Sequence, residues 1–123
     1  MSYSGQVIDV DVHHGYAKRE ELLDYLPERW RSLVVDSNLP LQTPGLTVSK
    51  GGMRLDTFDS DGNIPGSSYE MLRTQILDPL RIERAVLSYG VGREVYHYNH
   101  HLGAVYATAL NNWSLERWLT GLD

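Results

Sequence analysis

Two strand-like runs, Val7–Val12 and Arg84–Ser88, lie far apart in the sequence, and each is followed by helical patterns. Strands alternating with helices predict an α/β chain with a parallel sheet built from βαβ units. In the first run, period-2 geometry places Ile8, Val10 and Val12 on one side and Asp9, Asp11 and His13 on the other. The second run, Arg84-Ala85-Val86-Leu87-Ser88, is mostly apolar, as expected of a strand buried in a parallel sheet. Two strands do not make a stable sheet by themselves. The predicted helices therefore have more sheet to cover than this chain supplies.

The helical segments follow from apolar spacing. Leu22, Leu23, Leu26, Trp30 and Leu33 recur near 3.6 residues, with Pro27 placed in the first turn of a second short helix. Ser67 or Ser68 caps a helix to about Leu77, bounded by Pro79. Asn99 caps a longer helix whose apolar face is Leu102, Val105, Tyr106, Ala109, Leu110 and Trp113. Ser114 is expected to cap a last helix with Leu115, Trp118 and Leu119 inward. Residues 36–68 hold Pro40, Pro44, Gly45, Gly51, Gly52, Asp61-Gly62-Asn63 and Pro65-Gly66, which is the chemistry of a long loop insertion. A short hairpin pairing Leu46–Val48 with Met53–Leu55 fits inside it.

Composition removes several classes of function. With no cysteine, thiol nucleophiles, disulfides and cysteine–zinc sites are excluded. A formal net charge of −5, with no basic run longer than Lys18-Arg19, argues against a nucleic-acid partner. No apolar run approaches the roughly 20 residues of a membrane helix. Met1–Gln6 has neither the basic nor the apolar part of a signal peptide, so a cytoplasmic protein is the expectation.

Asp11 and His13, two apart on one strand, share a face and can chelate one ion, since carboxylate oxygen and imidazole nitrogen both suit zinc or manganese. A strand with one solvated polar face explains the same spacing. His97, His100 and His101 form a second cluster after the second strand, where His97 or Tyr96 could meet a substrate and Arg93 a carboxylate. Surface histidines and helix capping account for that cluster more simply. Tyr89-Gly90-Val91-Gly92 completes no phosphate-loop pattern and is read as a turn.

The segment Val7-Ile8-Asp9-Val10-Asp11-Val12-His13-His14 resembles the first strand of the metal-dependent amidohydrolase superfamily. It is most similar to the amidohydrolase 2 branch, which includes the aminocarboxymuconate semialdehyde decarboxylases. Leu22-Leu23-Asp24-Tyr25-Leu26-Pro27-Glu28-Arg29-Trp30, Arg81-Ile82-Glu83-Arg84-Ala85-Val86-Leu87 and the stretch from Ala107 to Leu119 resemble later parts of that family. The resemblance covers most of this chain but only about the first third of a family member. It implies an N-terminal portion, about two βα units, of a TIM (β/α)8 barrel spanning 1–123, because a full barrel takes roughly 250 residues.

The resemblance also assigns roles. Asp11 and His13 match the first metal ligands and Asp9 the leading acid, in an orienting position behind the metal. His97, on a loop after the second strand, falls where substrate contacts lie. His14, which strand alternation points away from His13, is expected from that geometry to hydrogen-bond in the loop rather than to ligate. The implied cofactor is a divalent metal, zinc first and manganese second. The remaining ligands and the expected aspartate base have no counterpart here, and zinc takes about four ligands. The expected function is thus a piece of a metal-dependent hydrolase or decarboxylase acting on a small molecule. That piece would be inactive alone and completed by self-association or a partner chain. The alternative is a non-catalytic interaction module derived from a truncated barrel.

Overall fold

The computed structural model describes residues 5–39, 54–89 and 99–120. They group into two compact units, 5–17 with 54–89 and 18–39 with 99–120. The chain is mixed α/β, and among the described residues the sheet has two parallel strands.

In the first unit, β1 (Val7–His14) pairs with β2 (Ile82–Tyr89), each longer than the apolar pattern predicts. Asp9 lies opposite Ala85 and Val12 opposite Leu87, so three steps on β1 match two on β2. This bulge at Val10–Asp11 overturns the simple alternation. Val12 is buried, whereas Ile8 and Val10 are 51% and 72% exposed. Beyond the bulge the period-2 pattern resumes, with Val12 and His14 buried and Asp11 and His13 exposed. The expectation of a buried second strand also fails, since Val86 is 54% exposed.

The described end of the long insertion folds back onto β1. Leu55–Thr57 forms a 3-10 turn. Next, the Asp59 carboxylate accepts hydrogen bonds from the backbone of Asp61 (3.0 Å) and Asn63 (2.8 Å) and from the Asn63 amide (2.8 Å). Those donors, the Asn63 side chain first, hold the Asp59 carboxyl below its usual range. Gly66 then reaches β1. Its φ is +77°, and a Cβ there would stand 2.6 Å from the His13 carbonyl oxygen, so the contact admits only glycine. The Gly66 carbonyl accepts from Gly15 N–H at 3.0 Å, fastening the loop to the strand end. The hairpin expected at 46–55 lies outside the described residues, apart from Arg54 and Leu55.

Ser68 caps the helix as expected, its hydroxyl accepting from Met71 N–H at 3.2 Å. However, Pro79 does not bound that helix. α3 (Tyr69–Leu72) runs through a wider π turn (Arg73–Leu77) into α4 (Asp78–Leu80), which contains Pro79. A proline ring in a regular helix collides with the carbonyl four residues back and offers no N–H, and the wider turn relieves both problems. Arg81, at φ +53°, stops the helix just before β2.

In the second unit, α1 (Glu20–Leu23) packs against α5 (His100–Ser114). Pro27 stands just ahead of α2 (Glu28–Asp36) at φ −56°, ψ 141°, rather than within its first turn, and its carbonyl receives Trp30 N–H at 2.8 Å. The helix restarts there, so the apolar phase does not carry across. Val34 is buried and Leu33 is exposed. Asn99 caps α5, its side-chain oxygen accepting from His101 N–H (2.9 Å) and Leu102 N–H (3.0 Å). Leu102, Tyr106, Ala109, Leu110 and Trp113 are buried as the spacing predicts, whereas Val105 of the same face is half-buried. Ser114 caps no further helix. The chain runs on into a π turn (Leu115–Leu119), which buries Trp118 against Trp113, ring centroids 6.4 Å apart, and leaves Leu115 and Leu119 exposed. Among the described residues no helix is long and apolar enough to cross a membrane.

Candidate functional site

β1 delivers its polar residues to a cleft of about 280 Å³ in the first unit. Asp9, Asp11, Val12 and His13 form one wall, and Thr57, Pro65, Gly66, Leu72, Gln75 and Ile76 form the rest. The opposing wall is placed by two ties. One is the Gly66 contact on the His13 backbone. The other is the Gln75 side-chain amide, which donates to the Thr57 carbonyl at 2.9 Å and joins the π turn to the loop.

The three predicted residues therefore share one cleft despite the bulge. Asp11 Oδ1 and His13 Nε2 are 3.7 Å apart, both on side chains at least half exposed. Asp9 plays a local part, its Oδ1 accepting the Asp11 N–H at 3.0 Å across the bulge. The Ser88 hydroxyl on β2 donates to Asp11 Oδ1 at 3.0 Å. His14 turns into the protein. Its Nδ1–H donates to the Ser88 carbonyl at 2.9 Å, and its ring lies 5.0 Å from that of Tyr89. Burial pushes the His14 pKa below its ordinary value. The Ser88 carbonyl opposes that shift, and the neighbouring His13 adds to it.

Tetrahedral zinc with bonds of about 2.0–2.1 Å sets its ligand atoms roughly 3.4 Å apart. A 3.7 Å separation is close to that edge, so Asp11 and His13 fit two corners of such a site. Among the described residues no three His, Cys, Asp or Glu side chains come together to hold an ion. Among the described residues the cleft wall carries two carboxylates and an imidazole and no Lys or Arg, which favours positively charged occupants.

His97, Tyr96 and Arg93 lie outside the described residues. His100 and His101 are exposed in the first turn of α5, where the backbone of His101 serves the Asn99 cap. Sequence reasoning missed Ser88, Gln75, Thr57 and Gly66. Ser88 carried a signal, as the polar end of an otherwise apolar strand run, and Gly66 carried another in its Pro-Gly turn. No family model and no curated protein matches the chain.

Proposed function

We propose that this chain is the N-terminal portion of a metal-dependent hydrolase or decarboxylase of the amidohydrolase 2 type, with β1 and β2 as the first two strands of a (β/α)8 barrel. The observation that carries the reading is the pair Asp11 Oδ1 and His13 Nε2, 3.7 Å apart on a cleft wall at the C-terminal end of β1. Barrel enzymes build their sites at that end of their strands. The parallel pairing of β1 with β2 and the bulge beside the donors agree with it.

In this reading Asp11 and His13 hold a divalent ion, zinc first and manganese second. When bound, the ion polarises a substrate group and activates water. Asp9 sets the bulge that presents Asp11. Val12, Pro65, Leu72 and Ile76 offer apolar surface to a small substrate, and Gln75 and Thr57 border it. His97 contacts the substrate in this reading. The remaining ligands and strands come from outside this chain, through self-association or a partner that completes the barrel.

Metal analysis of the purified chain tests the reading. One equivalent of zinc or manganese is expected, with affinity falling at least tenfold in Asp11→Ala and in His13→Ala. Retention that neither substitution changes contradicts it, and absence of metal removes metal binding by this chain on its own. The exposed Ile8, Val10 and Val86 favour a second reading, an interaction module that pairs with another chain and binds no metal. In that case association survives both alanine substitutions and no metal is retained.

A further inference from the structure

We propose that Ser88 is the positioning residue for the Asp11 carboxylate; this rests on the reading of Asp11 and His13 as metal ligands. Three observations meet at this one residue. Its hydroxyl donates to Asp11 Oδ1 at 3.0 Å, on the carboxylate that faces His13. Its carbonyl accepts from His14 Nδ1 at 2.9 Å. Its Cα pairs in register with His13.

The bulge makes this convergence possible. Asp9 is level with Ala85, so a regular parallel register would bring His13 level with Tyr89, four positions on. The extra residue of β1 sets His13 opposite Ser88 instead. An aspartate on an exposed strand face rotates freely about its side-chain bonds. A hydroxyl donor from the neighbouring strand restricts that rotation, and an ionised carboxylate keeps lone pairs for an ion beyond the one so engaged. Partners of this kind behind metal ligands commonly change affinity by about 10–100-fold. The exposure of Asp11 argues for the lower end of that range.

The division of labour inside Ser88 allows a clean test. Ser88→Ala removes the hydroxyl but keeps the carbonyl that His14 uses. Ser88→Thr keeps both and suits a strand. Zinc binding is titrated on the full chain against a chromophoric chelator for the native protein and both variants. The imidazole 15N signals of His14 and the thermal midpoint are followed in parallel. Ser88→Ala is expected to weaken zinc about tenfold, with His14 signals and midpoint unchanged, and Ser88→Thr to bind within about twofold of native.

Native zinc affinity in Ser88→Ala overturns the assignment while leaving the metal reading in place, provided Asp11→Ala still loses zinc. Equal weakening in both variants with a lowered midpoint shows a structural role only and also overturns it. Failure of the native chain to bind zinc overturns both.

Discussion

The helix α5 and the strand pair β1–β2 are both rich in apolar side chains, yet they bury them very differently. Leu102, Tyr106, Ala109, Leu110 and Trp113 of α5 are all buried, whereas Ile8, Val10 and Val86 of the strands are half exposed or more. A helix closes its own backbone hydrogen bonds and needs cover along one stripe. A parallel strand needs neighbours on both edges and layers on both faces. The helical unit meets its requirements with one apolar stripe on α5, covered in part by α1 and by Trp118 of the π turn. Among the described residues of its own unit, the strand pair is covered by the loop at Gly66 and the turns from Ser68 to Leu80.

The contrast can be broken at several points, and Trp113 carries the largest effect. Trp113→Ala should cost about 3–5 kcal/mol in denaturant unfolding, because a fully packed ring leaves a cavity. A loss below about 1 kcal/mol would mean that the α5 core is not what holds the helical unit together.

Gly66→Ala is the matching experiment in the strand unit. The left-handed backbone alone costs about 1–3 kcal/mol, and the new Cβ meets backbone that cannot move aside cheaply. Faster amide exchange at Gly15, whose N–H bonds to Gly66, is the expected local signature. An unchanged exchange rate would detach the loop from the strand end.

Asn99→Ala should cost about 1 kcal/mol by freeing the first N–H groups of α5, measured as a shift in the urea midpoint.

The smallest effect is the pH response of His14. Its folded pKa lies below the unfolded value of 6.5, so near that pH the unfolded chain binds more protons and stability rises with pH. Stability is therefore full above 6.5 and declines as pH falls through 6.5 toward the lowered folded value. Unfolding curves on the metal-free chain should show this slope, and His14→Asn should flatten it.

What was legible in the sequence was local. The cap at Asn99 and the face of α5 need only neighbours within a few turns, and spacing reads both. The strand segments and their parallel pairing followed from the order of elements. Asp9, Asp11 and His13 were found because they repeat every two residues, and they do line one cleft. The bulge was not legible, since it is a mismatch between strands and neither strand alone encodes it. Ser88 escaped for the same reason, because its partner Asp11 is 77 residues away. The π turn arose from a compromise between Pro79 and the helix behind it. The phase error at Leu33 came from carrying one periodicity across Pro27.

In the proposed function two adjacent histidines have opposite duties: His13 would face an ion together with Asp11, while His14 is held by the Ser88 carbonyl. Zinc titration followed by imidazole 15N NMR tests this directly. The account predicts that His13 Nε2 shifts with zinc, that His14 keeps its Nδ1–H signal, and that Asp11→Ala abolishes the His13 response. A silent His13, or a His14 that responds as strongly as His13, would contradict it.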